Sequence, residues 1–269
     1  MWLFPIFATA LGAIVGSFLN VVIYRYPRGE SIVFPASHCP HCGTTIRPYD
    51  NVPVLAWLWL GGRCRACRGA IDVRYPLVEL ANALFYLAIY LRTGTSIGFV
   101  LLAAIVSMTI VLIYIDLDIQ ILPDVIDLPG VAIGLVIGAL ALGNAYGGLV
   151  LSSSLVESLV GAGAGAGILL AIALAYKLVR KVEGMGLGDV KMMAMLGAVL
   201  GWEPLFPLLV LASVAGAIVG LLVAARSPQG LQVALPFGVF LGLAFLVVLF
   251  FGDEVFTWYL QLLVSPLPE

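Results

Sequence analysis

What most constrains this chain is a series of apolar segments of membrane-helix length, separated by short polar breaks. Eight can be marked, at about 2–24, 76–92, 97–115, 125–143, 155–179, 190–202, 205–225 and 233–251. Roughly 20 apolar residues in a helix cross the ~30 Å of bilayer hydrocarbon. Of the 269 residues 62% are hydrophobic and 10% charged, whereas a soluble domain carries about 25% charged residues. The pattern predicts an all-α polytopic membrane protein of about eight transmembrane helices, with the lipid bilayer as its surroundings. A formal net charge of -2, without a P-loop or a long basic run, gives no ground for a nucleic-acid partner.

The distribution of basic residues sets the orientation. The first segment has no Lys or Arg ahead of it and is followed by Arg25 and Arg28, the wrong polarity for a cleaved signal peptide. With its N-terminus outside, twelve of the 13 Lys and Arg residues fall on the cytoplasmic side and only Arg92 lies outside. The expected organisation is a first transmembrane helix (1–24), a cytoplasmic four-cysteine domain (25–75), a transmembrane domain bearing the acidic residues (76–252) and an external interfacial tail (253–269) with Trp258 and Tyr259. "GAGAGAG" at 161–167 reads as a small-residue helix face, since Gly161 and Gly165 are one turn apart and permit close packing.

Residues 25–75 hold all four cysteines, Cys39 and Cys42 in "HCPHC" and Cys64 and Cys67 in "CRAC", two C-x-x-C pairs with 21 residues between them. Such pairs suit a closed tetrahedral zinc site of four thiolates. About fifty residues bury little core, so a metal clip would supply stability that packing cannot. Two disulfides are the competing reading, and a cytoplasmic placement disfavours them. His38 and His41 flank the first pair and are read as surface residues, because four cysteines already fill the shell.

Acidic residues gather at the same predicted face: Asp116, Asp118, Asp124 and Asp127 in "IDLDIQILPDVID", and Asp189 in "GMGLGD". Carboxylates beside membrane helices are functional candidates by default. Two adjacent carboxylates do not both ionise readily, so one takes a proton from water while the other donates to a scissile carbonyl. That chemistry requires Asp116 and Asp189, 73 residues apart, to meet. Gly184, Gly186 and Gly188 would let backbone approach a substrate and take unusual dihedrals. The plainer alternatives are that Asp189 caps a helix N-terminus and that Asp116 is a solvated helix-end residue. From Val190 to Trp202 there are thirteen residues, roughly 20 Å of helix. This shortness predicts that Asp189 lies about 10 Å below the inner membrane surface, with non-helical glycine backbone dipping to reach it.

"GMGLGD" and "IDLDIQILPD", with "VGSFLNVVIYRYP" at 15–27, the cysteine-bearing loop, "RYPLVEL" and "ALPFGVFL" at 234–241, resemble the type IV prepilin peptidases, GxGD-type aspartyl proteases of the bacterial inner membrane. The resemblance implies cleavage of a short basic leader from type IV prepilins or pseudopilins after a glycine, on the cytoplasmic side. It also implies methylation of the new N-terminal amine from S-adenosylmethionine. It assigns catalysis to Asp116 and Asp189, supporting places to Gly186, Gly188, Asp124 and Lys191, and structural zinc to Cys39, Cys42, Cys64 and Cys67. Extra residues around 144–154 are expected in an external loop away from the site. Asp127 and Gly130 stand where a hydroxyl and an apolar residue are common, and are expected not to touch the signature aspartates. Glu79 is a candidate for the methyltransferase or substrate face, or simply a first-turn helix acid. A transporter with a zinc-clipped regulatory loop is the main alternative. It expects polar groups near the midplane and repeated halves, which the one-sided acids do not supply.

Overall fold

The eight apolar segments are mostly helical where the computed structural model describes them, over residues 3–182, 185–226 and 235–264, with 125–143 split into two helices. Gly184, the break at 227–230 and Ala234 lie outside these residues, and so do the side chains of Trp258 and Tyr259. The helices are α1 (Leu3–Arg25), α2 (Leu55–Trp59), α3 (Arg74–Thr93), α4 (Ile97–Ile119), α5 (Asp124–Ala139), α6 (Leu142–Ala145), α7 (Leu155–Arg180), α8 (Leu187–Leu200), α9 (Leu205–Ala224) and α10 (Phe237–Val264). Only two isolated bridges, His38 with Thr45 and Arg63 with Ala70, interrupt the all-helical character of the described residues. Four helical stretches, at 3–28, 97–119, 155–180 and 205–224, are long and apolar enough to cross a membrane. Rows of large apolar residues stay uncovered on α7 and α9, among them Leu178, Val179, Phe206 and Leu221. A soluble protein would not tolerate so much exposed apolar surface, and this is a membrane protein. α10 continues past the expected end at 251 as far as Val264.

The chain divides into two compact units, 1–111 and 112–269. In the first, α1 packs on α3 through Gly12 and Gly16. A Cβ on Gly12 would lie 2.7 Å from Tyr86 Cβ, and one on Gly16 would lie 2.8 Å from Glu79 Cα. This four-residue glycine spacing brings backbones together as in other membrane helix pairs. Asn82 Nδ2 donates to Gly12 O at 2.7 Å, and Ser107 Oγ donates to Asn82 Oδ1 at 3.0 Å. The polar residues thus find partners within the apolar layer.

In the second unit α8 is the buried centre, with Val190, Met192, Met193 and Met195–Leu200 all buried. Its neighbours admit it through small residues. A Cβ on Gly134 of α5 would lie 2.6 Å from Ala198 Cβ, and one on Gly165 of α7 would lie 2.7 Å from Met193 O. Gly161 meets the backbone of Gly197 and Gly201, so the glycine-rich stretch is the packing face its spacing predicts. Ser158 of α7 donates to Ala198 O at 2.8 Å and Gly134 O at 3.1 Å, tying three helices. The 144–154 segment is not a detached loop. Leu149, Leu151 and Ser152 are buried, Ser152 N donates to Val199 O at 2.9 Å, and Val150 N donates to Leu249 O at 3.0 Å.

Candidate active site and metal centre

The second unit gathers its acids where α4, α5, α8 and α10 begin or end. α4 stops because Gln120 takes a left-handed conformation, φ 55°, and its N–H returns to Asp116 O at 2.9 Å. The chain then runs extended through Leu122 and Pro123 into α5. Asp116 is 4% exposed, and its Oδ2 accepts a hydrogen bond from Val239 N at 3.0 Å in the first turn of α10. A buried, oriented carboxylate is not the solvated helix-end residue of the plainer reading.

Asp189 occupies the first turn of α8 and turns its carboxylate back to the backbone of Gly186. The N-cap position itself belongs to Gly186, and Asp189, three residues on, reaches back to it as the acid of a capping box does, so the capping reading of Asp189 is compatible with its place beside Asp116. Asp116 lies within electrostatic range of Asp189. Leu122 joins their surroundings. A Cβ on Gly188 would lie 2.9 Å from Leu122 Cβ, and one on Gly238 would lie 3.0 Å from Leu122 Cδ1 and 2.8 Å from Asp116 Oδ2. Leu122 therefore fills the space between the two glycines that adjoin the two acids.

The expectation of unusual glycine dihedrals fails for the described pair. Gly186 is extended, φ -75° and ψ 149°, and Gly188 is helical. Helix begins two residues before Asp189, so non-helical backbone is confined to residues 185–186 of this described stretch. Smallness, not dihedral freedom, is what Gly188 supplies.

Asp124 and Lys191 meet, with Lys191 Nζ 2.6 Å and 2.7 Å from the two carboxylate oxygens. Asp118 is exposed. Asp127 is 0% exposed, neither carboxylate oxygen has a hydrogen-bond partner among the described residues, and it lies in electrostatic range of Asp124, Lys191 and Asp189. Leu122 is the neighbour that sequence reasoning missed, and nothing local marks it.

In the first unit the four cysteine sulfurs lie within 4.8 Å of one another, with Cys39 Sγ and Cys67 Sγ 3.9 Å apart. All four are free thiols, so the two-disulfide alternative is not realised. Tetrahedral thiolates at ~2.3 Å from zinc stand about 3.8 Å apart, and the cluster has the geometry to hold a metal ion. The two knuckles repeat with an offset of 25 residues. Cys39 N donates to Thr44 O and Cys64 N to Gly69 O, while Gly43 N donates to Cys39 O and Arg68 N to Cys64 O. Gly43 and Arg68 have φ of 70° and 60°. His38 and His41 are exposed and outside the cluster.

The Thr44 hydroxyl, then its backbone, pulls the Cys42 thiol down to about 6, while Cys67, against the pull of the Gly69 backbone, is pushed up to about 11 by burial and the neighbouring sulfurs. Glu79 lies in the second turn of α3, not the first. It is 8% exposed, and its Oε2 accepts from Val54 N at 2.7 Å.

Fold and site together define a helical membrane protein with a cluster of buried and half-buried carboxylates in one unit and a tetracysteine centre in the other. Residues 10–93 match the bacterial peptidase A24 N-terminal domain and residues 103–221 the type IV leader peptidase family, and the chain belongs to that family. Among similar proteins, one from Pseudomonas putida described as a prepilin leader peptidase/N-methyltransferase is 38% identical over 95% of this chain and 93% of its own length. A protein of the same description from Aeromonas hydrophila is 37% identical over 96% of this chain and 94% of its own. A third, from Pseudomonas aeruginosa, is 38% identical over 93% of this chain and 91% of its own. No solved structure matches the chain. Family membership displaces the transporter alternative.

Proposed function

We propose that this protein cleaves the basic leader of type IV prepilins or pseudopilins after a glycine and methylates the amine so exposed. The observation that carries the peptidase reading is the convergence of Asp116 and Asp189, from helices far apart in sequence, around Leu122. One carboxylate, ionised, takes a proton from water as that water attacks the scissile carbonyl carbon. The other, protonated, donates to the carbonyl oxygen. The backbone N–H of Val239 fixes the rotamer of Asp116, so the pair is oriented before substrate arrives. The Lys191–Asp124 pair holds the start of α5 against α8 and so keeps Leu122 in place.

Cys39, Cys42, Cys64 and Cys67 bind a structural zinc, since four thiolates leave no open position for chemistry. The methyl donor is S-adenosylmethionine. All eight long helices cross or enter the bacterial inner membrane, with the acidic site and the zinc domain on the cytoplasmic side, as the charge distribution favours.

The test is cleavage of a purified prepilin by full-length protein in detergent. Asp116→Asn and Asp189→Asn each reduce cleavage below detection, with helical content unchanged. Substantial cleavage by either variant overturns the two-aspartate assignment.

A further inference from the structure

Between the first cysteine pair and the second runs an uninterrupted apolar stretch of nine residues, Val52 to Leu60. It is too short to cross a bilayer, and it lies in the otherwise polar segment 25–75. Its centre is α2, in which Ala56 is buried whereas Leu55, Leu58 and Trp59 are 55%, 60% and 53% exposed. We propose that α2 is seated in the cytoplasmic leaflet of the membrane, with Leu55, Leu58 and Trp59 against the acyl chains. The four-cysteine domain is thereby fixed to the bilayer beside the helices that carry it. The inference rests on the membrane placement of α1 and α3 given above and adds a lipid contact to the domain between them.

Three observations carry it. The first is depth. Tyr24 and Tyr26 are exposed on either side of Arg25, the aromatic and basic pattern of a helix end at headgroup level. Val54 N donates to Glu79 Oε2 at 2.7 Å, so the start of α2 meets the second turn of α3. Glu79 in turn faces Gly16 of α1, where a Cβ would lie 2.8 Å from Glu79 Cα. Gly16 precedes Arg25 by nine residues, about 13 Å of helix. A helical side chain leans towards its own N-terminus, which for Glu79 is the cytoplasmic end. This brings Val54 back to about 5–10 Å below Arg25, the depth at which interfacial helices lie. Ile14, Phe18 and Val21 of α1 also line one cavity with Ala56, Trp57 and Leu60. The inner face of α2 is thus turned to the membrane-embedded part of α1, and its outer face to what surrounds α1, which is lipid.

The second is the backbone. Lipid offers N–H groups no partner, so a segment that does not span enters it only with its amides engaged. The amides of Leu55, Ala56, Leu58, Leu60, Gly61 and Gly62 each donate to a carbonyl within 52–58, and Glu79 takes that of Val54. To close this set Val54 adopts φ 61° and ψ -53°, with Leu55 N 2.6 Å from Pro53 O. That is the rare γ-turn, on a β-branched residue that ordinarily avoids positive φ. The indole N–H of Trp57, on the inner side, donates to Ile71 O at 3.1 Å.

The third is charge. Residues 25–75 carry seven arginines against Glu30, Asp50 and Asp72. Exposed Arg63 follows Trp59 by four residues, and exposed Arg28 lies over the Tyr24 ring at 3.9 Å. A second apolar tip, Val33 and Phe34, 67% and 76% exposed, is held at the same end of α1, since Arg25 donates to Ser31 O and Pro35 O at 3.0 Å and 2.8 Å. Apolar tips backed by cations complement acyl chains beneath anionic headgroups.

The test uses full-length, metal-loaded protein in vesicles of phosphatidylethanolamine and phosphatidylglycerol. A phosphatidylglycerol with a photoactivatable diazirine in its acyl chain is cross-linked to the protein, and the labelled peptides are mapped. Label is expected within 52–60 as well as on α7 and α9. In parallel, Trp59 emission is taken as the difference between wild type and Trp59→Phe. Lipids brominated near the glycerol end of the chain are expected to quench it about twofold more than lipids brominated near the methyl end. Label on α7 and α9 but not within 52–60, or Trp59 emission quenched by aqueous iodide and not by brominated lipid, overturns the inference and leaves the membrane-spanning helices standing. Label on none of the helices removes the membrane placement, and the inference with it. Label within 52–60 that a prepilin displaces, or cross-links from 52–60 to a second copy in its place, makes α2 a protein-docking surface and overturns the inference.

Discussion

The absence of one methyl group on Gly238 decides how Asp116 is held. A side chain there would press 2.8 Å from Asp116 Oδ2 and 3.0 Å from Leu122 Cδ1, closer than such atoms approach. Gly238→Ala is therefore expected to displace the carboxylate or the leucine and to lower cleavage kcat at least tenfold. Overpacking of this size costs about 1–3 kcal/mol, so the protein still folds, and single-turnover cleavage separates the two effects. Asp127 gives the opposite expectation. A fully buried carboxylate with no hydrogen-bond partner costs about 1–3 kcal/mol. Threonine there can return its hydroxyl to the preceding helical turn. Asp127→Thr should raise Tm by several degrees while cleavage persists, as thermal unfolding in detergent and the same cleavage assay would report. At this scale the sequence revealed the two aspartates through their local patterns, and Asp124 with Lys191 beside them. It could not reveal Leu122 or the Val239 N–H. A leucine among leucines carries no mark, and a backbone donor has no letter of its own.

Elements were more legible than residues. The described parts of the eight apolar segments are mostly helix, because a long apolar run leaves the backbone no partner but itself, and only 125–143 is split, at Leu140 and Ala141 between α5 and α6. A close-packing face on α7 followed from the Gly161 and Gly165 spacing, though not that α8 is what it meets, and the equivalent Gly12 and Gly16 in α1 could have been read the same way. The course of 144–154 could not, since its contacts with Val199 and Leu249 are made to residues about 50 and 100 positions away. Within 25–75 one ion pair sets a pH limit. Asp50, 8% exposed, takes a two-pronged bond from Arg65, which holds its carboxyl below the ordinary range. A lowered carboxyl stabilises the fold fully above its unfolded value of about 3.9, and that contribution is lost as pH falls through the lowered one. Limited proteolysis of this segment should thus be constant from neutrality down to about pH 5 and accelerate below about pH 4. Asp50→Asn should remove the pair's share of that step.

Across the whole molecule, chemistry is divided between units of different construction. The second is packed around α8, and the first adds a small polar segment that brings four cysteine sulfurs together. Elemental analysis should find one zinc per chain. Stripping it should unfold residues 25–75, seen as new protease sites there, with far less effect on sites in the second unit. Arg68 sits at the left-handed position that Gly43 fills in the other knuckle. Arg68→Gly should therefore slow the loss of metal to a chelator, since a non-glycine residue there costs about 1 kcal/mol. The bond between Asp116 and Val239 also imposes an order of manufacture. A ribosome makes the acid in α4 more than a hundred residues before the amide that orients it. Until α10 has been threaded into place, the nascent chain holds both acids but not the donor that fixes one of them.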